Sequence, residues 1–125
     1  MPVFHLKDIE GTTFPAGRRT RVIAGPGAPA EPEHFVMGHA TVFPGGAVPR
    51  HAHSQEEVYF IVSGAGAIEI DGEETDVVAG SYASILPGQL HALRNTNDEE
   101  LIMLFCYAPK GIVEQWQEEL KSRER

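Results

Sequence analysis

Two histidines separated by one residue, His51 and His53, have a type and a spacing that suit metal chemistry. Side chains two residues apart lie on the same face of a strand but roughly 200° apart on a helix, so the spacing predicts a strand that presents both imidazoles together. Pro49, two residues before His51, also disfavours a helix interior. The pair alone is a weak signal of a metal site.

Glu57 follows His53 by four residues and has the same parity as both histidines. A continuous strand would carry Glu57 roughly 20 Å from His51, at about 3.3 Å per residue. The ligands of one ion converge within a few Å, so Glu57 can join the histidines only if the chain bends at residues 54–56. That segment is polar and tolerates a turn.

The residues around these three side chains resemble the first motif of the cupin superfamily. That motif runs glycine, five residues, His-x-His, three or four residues, glutamate, six residues, glycine. Residues 45–64 meet every spacing, and the matching positions are Gly45, His51, His53, Glu57 and Gly64.

Residues 80–95 resemble the second cupin motif, which runs glycine, five residues, proline, any residue, glycine, two residues, histidine, three residues, asparagine. Leu86 stands at the proline position and the proline is shifted to Pro87, so a turn-setting Pro-Gly pair is kept. The positions in register are Gly80, Gly88, His91 and Asn95. With a short stretch between its motifs, the chain is similar to compact single-domain bacterial cupins.

This resemblance implies that one divalent transition metal per chain (Fe, Mn, Ni, Zn, Cu or Co) is held inside a barrel. Its ligands would be His51, His53, Glu57 and His91. Three neutral imidazoles and one carboxylate suit these ions, and a set without a thiolate disfavours a structural zinc site. The alternative is a metal-free polar network, which would leave a costly buried carboxylate without a cation.

The elements that position these residues are predicted to be short strands. The 13 glycines and 9 prolines recur between apolar runs roughly 5 to 10 residues long, a rhythm typical of an all-β barrel or sandwich. Asp71-Gly72 is the strongest hairpin signal. The predicted strands are residues 21–24, 35–43, 58–62, 67–70, 73–78, 82–86 and 101–107. The resemblance implies an all-β fold, a double-stranded β-helix with a jelly-roll-like barrel, as a single domain over residues 1–125.

The C-terminal segment predicts a short α-helix over about residues 111–122. Apolar residues recur there at helical spacing, with glutamate and glutamine between them. The apolar stripe consists of Ile112, Val113, Trp116 and Leu120. We expect Trp116 to pack against the barrel or across a dimer contact.

Strand alternation suggests further residues of the pocket. Alternation along the strand from Glu57 places Tyr59 inward. Its hydroxyl could donate a hydrogen bond to a substrate oxygen, or the side chain could be an aromatic residue of the core whose hydroxyl is already hydrogen-bonded. His39 becomes a candidate acid–base group near the metal if its face of the strand points inward. Leu101, Met103, Phe105 and Tyr107 form a period-2 apolar set that could supply a wall. Cys106, within the same run, is predicted to be a small buried hydrophobe.

Charge excludes several classes of partner. Eighteen acidic against 10 basic residues give a formal net charge of -8, which lacks the positive field that nucleic acid or an anionic membrane surface requires. The sequence shows neither a run of ~18 apolar residues nor a secretory leader, so a cytoplasmic protein is expected.

The resemblance implies a homodimer, because cupins commonly dimerise and an N-terminal strand often joins the sheet of the partner. It also implies a small metalloenzyme acting on an oxygen-rich small molecule, by dioxygenase-like cleavage or by isomerisation or epimerisation of sugar-like compounds. The alternative is a binding or sensory module whose metal orients a small ligand without turnover. The fold alone does not decide between them.

Overall fold

The structure is a computed structural model that describes residues 2–111 and 114–122. Within these residues, strands form two antiparallel sheets, and one α-helix follows them. The strands are β1 (Thr12–Phe14), β2 (Arg18–Ala24), β3 (Val36–Val42), β4 (Ala47–His51), β5 (Glu56–Ser63), β6 (Ala65–Ile70), β7 (Glu73–Val78), β8 (Tyr82–Ile85), β9 (His91–Asn95) and β10 (Leu101–Ala108). A single 3₁₀ turn, Leu6–Asp8, precedes them, and the helix is α1 (Glu114–Ser122).

The strand order confirms the predicted double-stranded β-helix. The larger sheet runs β1-β2-β3-β10-β5-β8 and the smaller sheet runs β4-β9-β6-β7. β10 lies between β3 and β5, so strands far apart in sequence are neighbours. Side chains from both sheets meet in one core, to which the smaller sheet contributes Val48, Ile68 and Leu93.

Alternation along the central strands of the larger sheet decides which side chains face this core. The predicted apolar wall of β10 is confirmed, because Leu101, Met103, Phe105 and Tyr107 are all buried. The prediction for Cys106 is wrong: it alternates with Phe105 and Tyr107, points to the outer face and is exposed.

The inward face of β3 consists of its smaller residues. Val36, Gly38, Ala40 and Val42 are buried, whereas His39 lies on the other face. A Cβ atom at Gly38 would lie 2.2 Å from Cζ of Phe105, so the ring occupies the space that a side chain there would need. The condition on which His39 was a candidate, that its face of the strand points inward, is therefore not met.

Two turns have positive φ values, which favour glycine. Asp71 and Gly72 have φ values of 49° and 86° and join β6 to β7, which confirms the predicted hairpin. Gly64, the last residue of the first motif, has a φ of 86°, and a Cβ atom there would lie 2.6 Å from the carbonyl oxygen of Glu100. Any side chain at Gly64 would therefore be strained and would clash with the main chain.

The predicted C-terminal helix is confirmed over Glu114–Ser122, and Trp116 packs against the barrel. The Trp116 ring centroid lies 6.1 Å from that of Phe14 and 5.7 Å from that of Phe105, both in edge-on geometry. Ile112 and Val113 of the predicted stripe lie outside the described residues. Among residues 2–111 and 114–122, no helix has the length and apolar character needed to cross a membrane.

Candidate metal centre

Four side chains from three strands and one bend converge at one end of the barrel. His51 ends β4, His53 lies two residues beyond it, Glu57 is the second residue of β5, and His91 begins β9. The chain bends at residues 54–55, which confirms the bend that a shared site requires. One nitrogen from each imidazole and one carboxylate oxygen all lie within 4.8 Å of one another. We call His51, His53, Glu57 and His91 the His₃–Glu cluster.

Each imidazole of the His₃–Glu cluster is oriented by the main chain. In every case Nδ1 lies within hydrogen-bond distance of a carbonyl oxygen two residues away in sequence. The acceptors are Pro49 for His51 at 2.8 Å, Gln55 for His53 at 3.0 Å and Gln89 for His91 at 2.8 Å. A carbonyl oxygen only accepts, so Nδ1 carries the proton and the neutral ring offers the lone pair of Nε2. Such tethers fix ring orientation and are typical of metal-binding histidines.

The atoms facing the centre of the cluster are incompletely satisfied by protein groups. Nε2 of His53 lies 3.1 Å from Oε1 of Glu57. Nε2 of fully buried His91 lies 3.3 Å from the same oxygen, without the alignment of a hydrogen bond, and has no hydrogen-bond partner among the described residues. A buried unsatisfied nitrogen is unfavourable, and a divalent cation would accept its lone pair. The donor set therefore fits a metal ion.

The electrostatics of the cluster favour a cation. Burial, followed by the neighbouring His91, lowers the pKa of His51 to about 4, so this ring is neutral at pH 7. Burial alone would raise the pKa of Glu57, but the hydrogen bond with His53 and the nearby His91 ring outweigh it, and the net pKa is lowered. The hydrogen bond to Glu57 raises the pKa of His53. Glu57 is thus an anion, and a metal would compete with a proton at His53.

The cluster borders a cavity of about 20 Å³, which has room for about one water molecule. Tyr59 lines this cavity, so the prediction that it points inward is confirmed. Its ring centroid lies 5.8 Å from that of His91. Burial raises the pKa of Tyr59 well above its usual value, which keeps the phenol protonated and able to donate a hydrogen bond.

His39 lies away from the cluster. It lines a second cavity, of about 400 Å³, between the 3₁₀ turn and the outer side of the larger sheet. Phe4, Leu6, Ile9 and Leu104 contribute apolar surface to it. Burial, followed by the charge of Arg21, lowers the pKa of His39. The structure therefore does not bring His39 together with the His₃–Glu cluster, and the acid–base role suggested for it has no geometric support.

Two polar residues at the cavity, one of them charged, were missed by sequence reasoning. Arg18 and Thr20 alternate on β2 and both line the cavity, and Arg18 forms an ion pair with Glu119 of α1. The stretch Arg18-Arg19-Thr20-Arg21 has the composition of an exposed strand, so only its period-2 alternation could have placed Arg18 and Thr20 on one face.

Asn95, the last residue of the second motif, is not a ligand. Its Nδ2 donates to the carbonyl oxygens of Val42 at 3.0 Å and Glu99 at 2.7 Å, and its Oδ1 accepts from the amide of Asn97 at 2.9 Å. Asn95 therefore connects the end of β9 to β3 and to the loop that leads to β10.

Comparison with known proteins agrees with this geometry. The chain is 30% identical over 97 residues to gentisate 1,2 dioxygenase 1 of Aquipseudomonas alcaligenes, which covers 74% of the chain and 28% of that protein. It is 32% identical over 62 residues to the oxalate-binding protein of Thermotoga maritima, which covers 49% of the chain and 51% of that protein. The chain thus spans from about a quarter to about half of the length of these curated relatives.

Solved structures show the same architecture. An RmlC-like cupin from Shewanella frigidimarina superimposes with a TM-score of 0.73 at 16% identity, over 85% of this chain and 88% of that one. The cupin domain model matches residues 38–107, which contain both motifs and the whole His₃–Glu cluster. The chain belongs to the cupin domain family.

Proposed function

We propose that the chain is a metal-dependent cupin that converts an oxygen-rich small molecule by dioxygenase-like chemistry. The observation that carries the proposal is the convergence of three main-chain-tethered imidazoles and one buried carboxylate within 4.8 Å. A divalent transition metal bound there would supply Lewis acidity and, as Fe, Mn or Cu, the capacity to react with O₂. The named activity of the gentisate dioxygenase relative favours this chemistry over sugar isomerisation.

The residues of the chain around the cluster have separable roles in this proposal. Three neutral imidazoles and one carboxylate contribute a charge of about -1, so a divalent ion would leave a positive centre that attracts anionic oxygen ligands. Tyr59, protonated and buried at the wall of the cavity, would donate a hydrogen bond to a substrate oxygen. Met103 and Phe105 give the cavity an apolar wall that excludes water.

Metal binding and turnover can be tested in sequence. Metal-depleted protein is titrated with Fe(II), Mn(II), Ni(II), Zn(II), Cu(II) and Co(II), and each loaded form is assayed for O₂ uptake with gentisate as the probe. We expect one ion per chain and O₂ uptake in a redox-active form. His53→Ala and Glu57→Ala should abolish metal binding and leave a folded barrel, whereas His34→Ala, at an exposed loop histidine, should retain the metal. Stoichiometric metal in both cluster variants would refute the ligand assignment.

A second candidate is a metal-dependent binding module without turnover. The similarity to a protein named for oxalate binding favours it, as does a cavity of only about 20 Å³. The two candidates differ in one readout, because a binding module would take up one carboxylate ligand per metal and consume no O₂ in any metal form. O₂ consumption that depends on both metal and gentisate would exclude the binding module.

We also propose that the chain forms a homodimer through the outer face of the larger sheet. Val58, Phe60 and Val62 alternate on the outer face of β5 and are 46%, 42% and 46% exposed, and Tyr82 lies beside Phe60 in the next strand. A contiguous apolar patch on a sheet is typical of an interface, and a second copy could bury it symmetrically.

The dimer is tested by light scattering. Wild-type protein should have twice the chain mass of 13.7 kDa, and Phe60→Glu should shift it to monomer. Thr75→Glu, at an exposed position of the smaller sheet, is the matched control and should remain dimeric. A wild-type monomer at all concentrations would contradict this proposal.

A further inference from the structure

The cavity beside the His₃–Glu cluster contains a buried cation that the proposed metal chemistry does not use. Arg18, the first residue of β2, is only 2% exposed and lines the same cavity as the cluster. Its guanidinium carbon lies 4.0 Å from the centroid of the Phe14 ring, which holds the guanidinium in place. A buried guanidinium beside a metal site needs an anion, because an unpaired buried charge is strongly destabilising.

The anion comes from helix α1. Nη1 and Nη2 of Arg18 donate to the two carboxylate oxygens of Glu119, at 2.6 Å and 2.7 Å. Glu119 is itself buried, at 9% exposure. Two parallel, charge-assisted hydrogen bonds are the geometry in which a guanidinium recognises any carboxylate. Glu119 therefore pairs with Arg18 in the same geometry that the carboxylate of a ligand would adopt.

The same helix closes the cavity. Trp116 lines it and packs edge-on against Phe14 and Phe105. The volume that remains, about 20 Å³, suits about one water molecule and is too small for an organic acid. A ligand that enters this cavity must therefore displace Trp116, and one that pairs with Arg18 must also displace Glu119. Both residues belong to α1.

We propose that Arg18 binds the carboxylate of the substrate and that α1 is a displaceable lid, whose Glu119 pairs with Arg18 until that carboxylate replaces it. The inference rests on the proposed function, since the other oxygens of the substrate would face the metal held by the His₃–Glu cluster. The substrate class is then a small organic acid with at least one further oxygen. The exchange is one carboxylate for another, so Arg18 has a partner in both states and the exchange avoids the cost of an unpaired charge.

Oxalate is the probe for the role of Arg18, with its affinity for metal-loaded protein measured by calorimetry. Glu119→Gln keeps an amide oxygen that can accept a hydrogen bond from Arg18 but removes the competing negative charge, so oxalate should bind about tenfold more tightly than to wild type. The double variant R18Q/E119Q keeps no unpaired buried charge and should fold. It should bind oxalate about tenfold more weakly than E119Q, because the guanidinium is gone. Arg94→Gln and Glu74→Gln, at an exposed ion pair on the smaller sheet, are the matched controls and should bind as wild type does.

Trp116 reports the lid directly, because it is the single tryptophan of the chain. Acrylamide quenching of its fluorescence should increase in E119Q relative to wild type and E74Q, with or without metal. Oxalate should increase quenching in metal-loaded wild type. Equal oxalate affinity in wild type, E119Q and R18Q/E119Q, or equal quenching in wild type and E119Q, would overturn the inference.

These outcomes are distinct from a failure of the proposed function. Wild-type protein that binds no metal contradicts the proposed function, and the metal-independent quenching comparison still tests the lid. If metal-loaded wild type, E119Q and R18Q/E119Q bind oxalate with equal affinity, only the inference about Arg18 and α1 is contradicted.

Discussion

Acid should destabilise the metal-free protein through His51 in particular. Its pKa is about 4 in the folded protein, because burial and the neighbouring His91 disfavour the charged ring, against 6.5 for an ordinary histidine. The unfolded chain therefore binds a proton as the pH falls below about 6.5, whereas the folded chain does not until the pH approaches 4. The contribution of His51 to stability is complete above that window and is lost as the pH falls through it.

The magnitude follows from the two pKa values. At about 1.4 kcal/mol per unit of pKa, the linkage removes about 2 kcal/mol of unfolding free energy between pH 7 and pH 5, and about 3 kcal/mol by pH 4. Domains of this kind have about 5–15 kcal/mol in total, so the loss is measurable. The matched variant is His51→Asn, whose amide can still donate to the carbonyl oxygen of Pro49 but does not titrate.

The assay is urea unfolding of EDTA-treated protein, followed by circular dichroism at pH 7 and pH 5. His53 and Glu57 titrate in both proteins, so the difference between wild type and His51→Asn isolates His51. We expect wild type to lose about 2 kcal/mol more than the variant over this interval. An equal loss in the two proteins would refute the assignment of a neutral, buried His51.

Three further predictions concern packing, the second motif and metal removal. Gly38→Ala should lower the unfolding free energy by about 1–3 kcal/mol, because its Cβ would lie 2.2 Å from the Phe105 ring. An unchanged urea midpoint would show that the ring moves freely. Asn95→Ala removes the amide that donates to the carbonyl oxygens of Val42 and Glu99. The unfolding free energy should fall by about 1–3 kcal/mol for each of these oxygens that stays buried. Wild-type stability in this variant would show that water replaces the amide. EDTA should lower the thermal midpoint of metal-loaded wild type, and restoring the ion should raise it. At a free metal concentration of 100 times Kd, the stabilisation is about 2.7 kcal/mol. A midpoint that does not change with metal would be inconsistent with metal binding to the folded state.

The resemblance to the two cupin motifs was sufficient to predict the members of the His₃–Glu cluster but not the way they are held. Same-parity positions and one polar bend bring His51, His53 and Glu57 together, as the structure confirms. The Nδ1 tethers could not be predicted, because their acceptors are main-chain carbonyls whose direction depends on the local course of the backbone. Arg18 and Glu119 are 101 residues apart, so no local pattern relates them.

The prediction for Cys106 was wrong because composition was weighed above alternation, and the inward face of β3 was left open. Cys106 was placed in the core because its neighbours are apolar, yet Phe105 and Tyr107 point inward and leave Cys106 outside. The inward face of β3 was ambiguous because Gly38 and Ala40 look weakly hydrophobic beside the face that carries His39. The Phe105 ring occupies the space that a side chain at Gly38 would need.

Anomalous diffraction from crystals of the metal-loaded protein would show whether the His₃–Glu cluster binds one divalent metal. We expect a single ion per chain, bound by Nε2 of His51, His53 and His91 and by a carboxylate oxygen of Glu57, at about 2.0–2.2 Å. A protein that shows no anomalous peak among these four side chains after metal loading, or an ion bound elsewhere with the cluster unchanged, would contradict it.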